Sequence, residues 1–454
     1  MIAEAEEVRV ENRALLTDLY QLTMNAGYFA NKKNDLATFD LFVRKLPKYW
    51  GFFIANGIED AIDYATNIKF EDDDIEYLKD QRLFSEDYLR VLKDLRFTGE
   101  IYVIREGTPV APNTPLLRIT APRMEAQLLE TMLLNTVNFQ TMIATKANRV
   151  VNAAAPAKVV DFGLRRAQEK DAAMKGARAA FITGATATSN VLAGKEYGIP
   201  ISGTQAHSFV MSFLTELEAF RAYVQTFPDN PTLLVDTYDT LQGARNAAIV
   251  GKELEAKGKR LGAVRLDSGD LADLSKQVRT ILDQEDLQYV KIFASNDLNE
   301  YKIAELKARG AKIDGYGVGT ELITAKPTAA IPGVYKLVED ESGGKIKLST
   351  EKKSYPGRKQ VYRIEENGKF THDVLALEDE IIEGTPLLEK VVENGERIVP
   401  RRDLNEIRKY CLEQVAKIPQ TVREIKATYT YELRISPRLK NLTEDLERKY
   451  GGKK

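Results

Sequence analysis

An α/β fold, centred on a parallel β/α barrel with an α+β domain at the amino-terminal end, is what this 454-residue sequence predicts. Three observations predict it. From Lys158 onward, short β-branched runs alternate with helical stretches at the rhythm of β/α units: KVVDF, the run before GTQAHS, TLLVD, GAVRLD, VKIFASND and AKIDGYG. These runs finish in polar residues (Asp161, Asp236, Asp267, Ser295) or in glycines (Gly317, Gly319). In a barrel such ends converge at the carboxyl mouth, where sites are built; an open doubly wound sheet is the alternative, and the barrel is preferred because several strand ends then face one pocket. Finally, the length exceeds what one hydrophobic core serves, so two or three units sharing discontinuous segments are expected.

The elements follow in order. Leu15, Leu19, Leu22 and Ala26 recur at helical spacing over residues 15–30, with Thr17 or Asp18 suited to the helix start. In TFDLFVRKL, Phe39, Leu41 and Val43 alternate with Asp40, Phe42 and Arg44; EIYVI and PLLRIT also read as extended, so residues 1–121 open the α+β domain. Pro122 then starts a helix over 122–152 whose Met124, Leu128, Leu129, Met132, Leu133 and Val137 form a broad apolar stripe, and the barrel is assigned to 122–327. After Pro327, the short runs VYKLVE, KIKLST and QVYRIE predict that residues 328–400 return to the first domain. From Arg401 to Lys454, DLNEIRKYCLEQVAKI and a charged tail predict a helical C-terminal extension.

Composition narrows the function. Lys and Arg number 65 against 67 Asp and Glu, a net charge of −2, so no global field recruits nucleic acid or membrane and any anion site is locally built. The first residues lack a signal-peptide pattern and no apolar run is long enough for a bilayer, which predicts a cytoplasmic protein. Cys411 is the single cysteine, so neither an intrachain disulfide nor a cysteine-rich zinc site is expected. The two histidines, His207 and His372, are far apart in sequence; magnesium held by carboxylates and a substrate's phosphates remains open, its protein ligands unassigned.

The segments TDLYQLTMNAGYF, DFGLRRAQ, SNVLAGKEYGIPISGTQAHSF, LLVDTYDT, VRLDSGDL, FASNDLNEY and DGYGVGTELIT, in this order and spacing from about residue 13 to 365, resemble the nicotinate phosphoribosyltransferase family. The resemblance implies a type II phosphoribosyltransferase fold: an irregular β/α barrel beside an open-faced α/β sandwich, assembled as a homodimer with sites at the subunit interface. It implies that the pyridine nitrogen of nicotinate attacks the anomeric carbon of phosphoribosyl pyrophosphate. Nicotinate mononucleotide and pyrophosphate result, with ATP hydrolysis coupled through a phosphohistidine in NAD biosynthesis and Mg2+ accompanying pyrophosphate and ATP. That nitrogen already carries a lone pair, so the protein must align, stabilise positive charge and neutralise the leaving group rather than supply a base.

Within that frame each motif has a task. GTQAHS places His207 at a strand-to-helix junction with Ser208 beside it, where helix amides suit an added phosphoryl group, and the resemblance makes His207 the phosphorylated residue. Phe162 offers a stacking face and Arg165 or Arg166 a guanidinium for carboxylate or phosphate. The resemblance implies that Tyr20 completes the stack from the neighbouring subunit. In GATATSN, the neutral Thr186, Thr188 and Ser189 stand where related nicotinamide-using enzymes carry an aspartate, which favours an acidic substrate. Asp267 is expected to accept from ribose hydroxyls, Arg265 to face phosphate or the substrate carboxylate, and Asp236 to support the histidine or a metal-bound phosphate. Gly315, Gly317, Gly319 and Thr320 read as a turn that lets amides approach a phosphate, with Ser295, Asn296 and Asp297 on the same 5′-phosphate side. The basic segment with Lys336, Lys347, Ser349, Lys353, Gly357 and Lys359 matches the family's pyrophosphate and ATP region.

Three other readings share parts of this pattern. A nicotinamide phosphoribosyltransferase would retain most of the constellation; a quinolinate enzyme would call for a more basic pocket and leave the histidine motif unused; and a nucleotide-binding regulator would not need His207, Asp267 and Phe162 together.

Overall fold

The computed structural model describes residues 14–348 and 354–451. The chain forms two units: one from its two ends, up to Met142 and from Ala330, and a second from Ile143 to Ala329. The division falls inside the helix Glu130–Ala154 rather than at residue 122. The hydrogen bonds give the reason. Gln140 donates to Asp60 (2.8 Å) and Thr141 Oγ1 accepts from the Asn56 amide (3.2 Å), both in the first unit. One turn later Lys146 and Arg149 converge on buried Glu300 (2.5 and 3.2 Å) in the second. The helix expected over 122–152 is in fact two, Arg123–Leu128 and Glu130–Ala154.

The first unit contains an antiparallel seven-stranded sheet. Its order is Gly343–Gly344, Gly333–Asp340, Leu36–Val43, Pro115–Pro122, Glu100–Ile104, Leu388–Glu393 and Glu396–Arg397. The late strand Gly333–Asp340 pairs with the early Leu36–Val43, which is how the chain returns to its first domain. Along Leu36–Val43 every residue after the first is buried, so both faces of this central strand are covered and the face expected to be open is closed there. Asp40 on that strand pairs with Lys359 at 2.9 Å, and Arg118 on the next strand donates to the Lys359 carbonyl at 2.7 Å. Lys359 begins a strand of a second sheet, ordered Thr385–Pro386, Lys359–Glu366, Lys369–Leu377 and Glu432–Ile435. Residues 401–451 are therefore not purely helical, since Glu432–Ile435 adds a parallel strand beside Lys369–Leu377. KIKLST forms no strand over its described residues 345–348.

The helix Leu19–Ala30 buries Gln21, Leu22 and Asn25, while Leu19 and Tyr20 are exposed. Polar hydrogen bonds, Gln21 to Glu130 (2.9 Å) and Asn25 to the Met124 carbonyl (2.7 Å), turn the helix away from the face that apolar spacing alone suggests.

The second unit is a six-stranded parallel half-barrel with helices between its strands. Its order is Ala187–Thr188, Lys158–Asp161, Gly315–Val318, Lys291–Ala294, Ala263–Leu266 and Thr232–Leu234. Read in chain order, the strands follow one circular progression in which the first pairs with the last. That is the order of a barrel rather than of a doubly wound sheet, whose order reverses at a switch point. The ring stays open at one seam, between Ala187–Thr188 and Thr232–Leu234, where Thr188 forms only an isolated bridge to Ile201. The residues between these two strands carry GTQAHS. Among the described residues no helix is long and apolar enough to cross a membrane.

Candidate active site

Because all six strands run parallel, Asp161, Asp236, Asp267, Ser295 and Gly319 end at one edge of the sheet. Hydrogen bonds link three neighbouring strand ends. Asp236, 9% exposed, accepts on Oδ2 from the Asp267 amide (2.8 Å) and the Ser268 hydroxyl (2.6 Å). Asp267 accepts on Oδ1 from the Ser295 hydroxyl, and its Oδ2 lies 3.8 Å from His207 Nε2. Asp267, expected to serve ribose hydroxyls, thus already holds Ser295 and faces the imidazole. Asp236 orders the Asp267–Ser268 turn and makes no described hydrogen bond to His207; the residue after it does, since Thr237 Oγ1 is 3.2 Å from His207 Nδ1. His207 opens the short helix His207–Met211 as expected, its side chain 40% exposed, with the exposed Ser208 next to it.

One face of the sheet is aromatic and cationic. Phe293 and Arg265 are register partners on adjacent strands and so point to the same side. Phe162, just beyond the end of its strand, lies with its ring centroid 6.0 Å from that of Phe293. Gly315 and Gly317 belong to the strand Gly315–Val318 and not to a phosphate-binding turn. A Cβ on Gly317 would fall 2.3 Å from Phe162 Cε2, and one on Gly315 2.6 Å from Phe293 Cδ2, so these glycines make room for the two rings. Only Gly319 and Thr320 lie at the strand-to-helix step, before and at the start of the four-residue helix Thr320–Ile323.

Arg265 donates to the Gln205 carbonyl at 3.2 Å, while its Nε has no partner. Burial, and then the positive charge of Arg165, press against the Arg265 charge, while Asp267 and Asp236 favour it. Arg265, with one donor unspent, supplies a positive charge on the same side of the sheet as Phe293. At the end of Lys158–Asp161, burial raises the Asp161 carboxyl above its usual range; its oxygens accept from Thr188 Oγ1 and the Gly163 amide, both at 2.8 Å. The Thr186 hydroxyl likewise donates within the protein, to the Val159 carbonyl (3.0 Å), so two of the hydroxyls expected to read the substrate give their protons to Asp161 and to the backbone. Asn296 and Asp297 adopt consecutive positive φ values of 104° and 41°, an exposed turn directly after Ser295.

Three stretches of the chain match families of known proteins: residues 15–138 the nicotinate phosphoribosyltransferase N-terminal domain, 157–337 the nicotinate phosphoribosyltransferase family, and 382–443 the nicotinate phosphoribosyltransferase C-terminal domain. A nicotinate phosphoribosyltransferase of Mycobacterium tuberculosis is 43% identical over 436 residues, 95% of this chain and 93% of that protein. The Bacillus subtilis nicotinate phosphoribosyltransferase is 48% identical over 380 residues, covering 82% and 77%. The chain belongs to the nicotinate phosphoribosyltransferase family. Among solved structures, human nicotinic acid phosphoribosyltransferase superposes with a TM-score of 0.84 at 27% identity, covering 95% of this chain and 99% of that one. A nicotinate-nucleotide pyrophosphorylase from Pyrococcus furiosus follows at 0.74 and 26%, covering 91% and 98%.

For a nicotinate phosphoribosyltransferase the basic segment of the first unit divides sharply. Lys359 is 2% exposed and all three of its N–H donors are used, on Asp40 and on the carbonyls of Tyr355 (2.7 Å) and Gly357 (2.5 Å). It is a core ion pair, not a phosphate ligand. Gly357 takes φ +82° in the turn before it, a conformation that costs little without a Cβ. Lys336 bonds the Tyr335 carbonyl (3.0 Å), Lys347 is exposed, and Ser349 and Lys353 lie outside the described residues. Tyr20 is 47% exposed on the helix that also exposes Leu19. His372 hydrogen-bonds Thr371 and Arg434 within the first unit. Thr237, Phe293 and Gln205 escaped the sequence reading; each adjoins a residue it named or lies within a run it named, which was the available signal.

Proposed function

We propose that this chain joins nicotinate to the phosphoribosyl group of phosphoribosyl pyrophosphate, forming nicotinate mononucleotide and pyrophosphate, and that it couples this to ATP hydrolysis by phosphorylation of His207. The observation that carries the substrate reading is Arg265, half-buried with an unpartnered Nε beside Arg165 and in register with Phe293. A planar ring stacks on Phe162 rather than entering the 6.0 Å space between it and Phe293, and its carboxylate relieves the repulsion between the guanidiniums. An amide in place of the carboxylate would leave that repulsion standing, which disfavours nicotinamide. The pyridine nitrogen then forms its bond to the anomeric carbon as the bond to pyrophosphate breaks, with the electron pair leaving on pyrophosphate. The turn at Ser295, Asn296 and Asp297, with Gly319 and Thr320 at the adjoining strand end, is assigned to the 5′-phosphate side.

Magnesium accompanies the pyrophosphate and ATP in this scheme. The exposed Leu16, Leu19 and Tyr20 support a homodimer in which a second copy covers this helix and Tyr20 reaches the partner's ring site. A cytoplasmic setting fits the near-neutral charge.

The phosphohistidine part is tested with His207→Ala. The wild type is expected to consume ATP as it makes nicotinate mononucleotide, and the variant to lose ATP consumption and any ATP stimulation while retaining slow synthesis without ATP. Unchanged consumption of ATP per product in the variant would remove the role of His207.

A further inference from the structure

Two neighbouring strand ends of the half-barrel share a polar knot that no step of the reaction above uses. The ladder between Lys291–Ala294 and Gly315–Val318 ends at Ala294 and Tyr316. Past Ala294 the chain turns through Ser295, Asn296 and Asp297 and enters the helix Glu300–Ala308; past Val318 it steps through Gly319 and Thr320 to Glu321. Asn299 links the two loops with both ends of its side-chain amide. Its Oδ1 caps the helix, accepting from the Tyr301 and Lys302 amides (3.0 and 2.9 Å), and its Nδ2 donates to Oε2 of the buried Glu321 (3.3 Å). Among the described residues this is the hydrogen bond that joins the loops. Glu321 Oε1 pairs with Lys326 (3.0 Å), the Lys326 carbonyl accepts from Lys146 (2.8 Å), and Lys146 holds Glu300 (2.5 Å), the residue after Asn299. These contacts close a ring. The Lys326 ammonium is held above its ordinary range by Glu321 first and also by Asp297, so the Asp297 turn lies within electrostatic reach of the ring.

We propose that Asn299 and Glu321 are positioning residues for the 5′-phosphate of phosphoribosyl pyrophosphate, their hydrogen bond setting the separation of the two loops that receive it. This rests on the reading above, which assigns Ser295, Asn296, Asp297, Gly319 and Thr320 to the 5′-phosphate side. A phosphate held from two loops is bound well only when both present their donors at once, and a misplacement of about 1 Å is costly. The consecutive positive φ values at Asn296 and Asp297 are kept by non-glycine residues only where the surroundings over-determine them, and the anchored Asn299 supplies that restraint on one side of the turn. Neither residue touches the phosphate in this role. Asn299 has spent its oxygen on the helix and its nitrogen on Glu321, and the Glu321 carboxylate would repel an anion. Their influence falls on affinity for one end of one substrate, and not on the nicotinate ring or on the exchange of bonds.

The test exchanges donor and acceptor. Asn299→Asp keeps an oxygen for the helix cap but sets a second carboxylate oxygen against Glu321, and Glu321→Gln in the same chain turns a donor back towards it. Steady-state kinetics of the full chain with nicotinate, phosphoribosyl pyrophosphate, magnesium and ATP give KM for each substrate; ribose 5-phosphate and inorganic pyrophosphate serve as inhibitors that each carry one end of the phosphoribosyl donor. Asn299→Asp is expected to raise KM for phosphoribosyl pyrophosphate and the inhibition constant of ribose 5-phosphate about tenfold, as loss of one hydrogen bond and a like-charge contact imply. KM for nicotinate and inhibition by pyrophosphate should stay within about twofold of wild type, and the double variant should return to within about threefold. Asn299→Ser, which caps the helix without reaching Glu321 or adding charge, is expected to show the same selective loss at about fivefold. A wild-type KM for phosphoribosyl pyrophosphate in both single variants, equal weakening of ribose 5-phosphate and pyrophosphate, or a double variant no better than Asn299→Asp would overturn the proposal while leaving the reaction intact. A wild-type chain that forms no nicotinate mononucleotide would overturn the assigned reaction and this inference with it.

Discussion

Replacing Arg265 with glutamine is expected to lower kcat/KM for nicotinate by about a hundredfold, equivalent to about 3 kcal/mol of lost interaction with the bound anion. Glutamine removes the charge and, being two bonds shorter, also the 3.2 Å donation to the Gln205 carbonyl, so a second substrate is needed to separate the two effects. The discriminating comparison is with nicotinamide. Its neutral carboxamide gains nothing from the guanidinium, so whatever low rate the wild type shows with nicotinamide should change far less, and the preference for nicotinate should narrow. Equal losses for both ring substrates, measured by steady-state kinetics, would mean that Arg265 acts on the phosphoribosyl partner instead.

Lys359→Met is expected to destabilise the first unit by about 3–5 kcal/mol, because it leaves Asp40, 1% exposed, with its charge buried and unpaired. Burial already raises the Asp40 carboxyl and lowers the Lys359 ammonium from their ordinary values, so each depends on the other to remain charged. Removing both charges together, as Asp40→Leu with Lys359→Met, should recover much of the loss, since a well-packed apolar pair avoids the desolvation cost. Denaturant midpoints of the two variants measure this. A pyrophosphate-binding lysine would behave in the opposite way: midpoint unchanged, KM for phosphoribosyl pyrophosphate or ATP raised.

These two residues also mark how far the sequence could be read. Arg265 was legible because it lies on a short β-branched run that ends in Asp267 and Ser268, and parallel strands bring such ends to one edge. His207 was singled out only by the ordered set of motifs that carries the resemblance, since a lone histidine before a helix is commonly structural. Lys359 was misread because the resemblance assigned the whole basic segment to pyrophosphate and ATP, although its two-residue spacing with Val361 and Arg363 on one buried strand face carried the correct signal. Its partner Asp40 lies more than 300 residues earlier, in another sheet, and no local pattern reveals such a pairing. Gly315 and Gly317 were misassigned for a related reason. Glycine spacing records that a Cβ is not tolerated, but not whether a phosphate or an aromatic ring takes the space. The helix at Leu19–Ala30 followed the apolar period in extent but not in facing, because Gln21 and Asn25 are held inward by Glu130 and the Met124 carbonyl. The parallel β/α character of the second unit was legible in the alternation of strands and helices, whereas the half-barrel order and its open seam depend on pairings that alternation does not specify.

The most direct test of the account is competition between nicotinate and nicotinamide for the purified wild-type protein, supplied with phosphoribosyl pyrophosphate, magnesium and ATP, with both mononucleotides quantified from one mixture. Nicotinate mononucleotide is expected to be nearly the sole product, accompanied by pyrophosphate and ADP. Mononucleotide formed mainly from nicotinamide, or no mononucleotide at all, would contradict it.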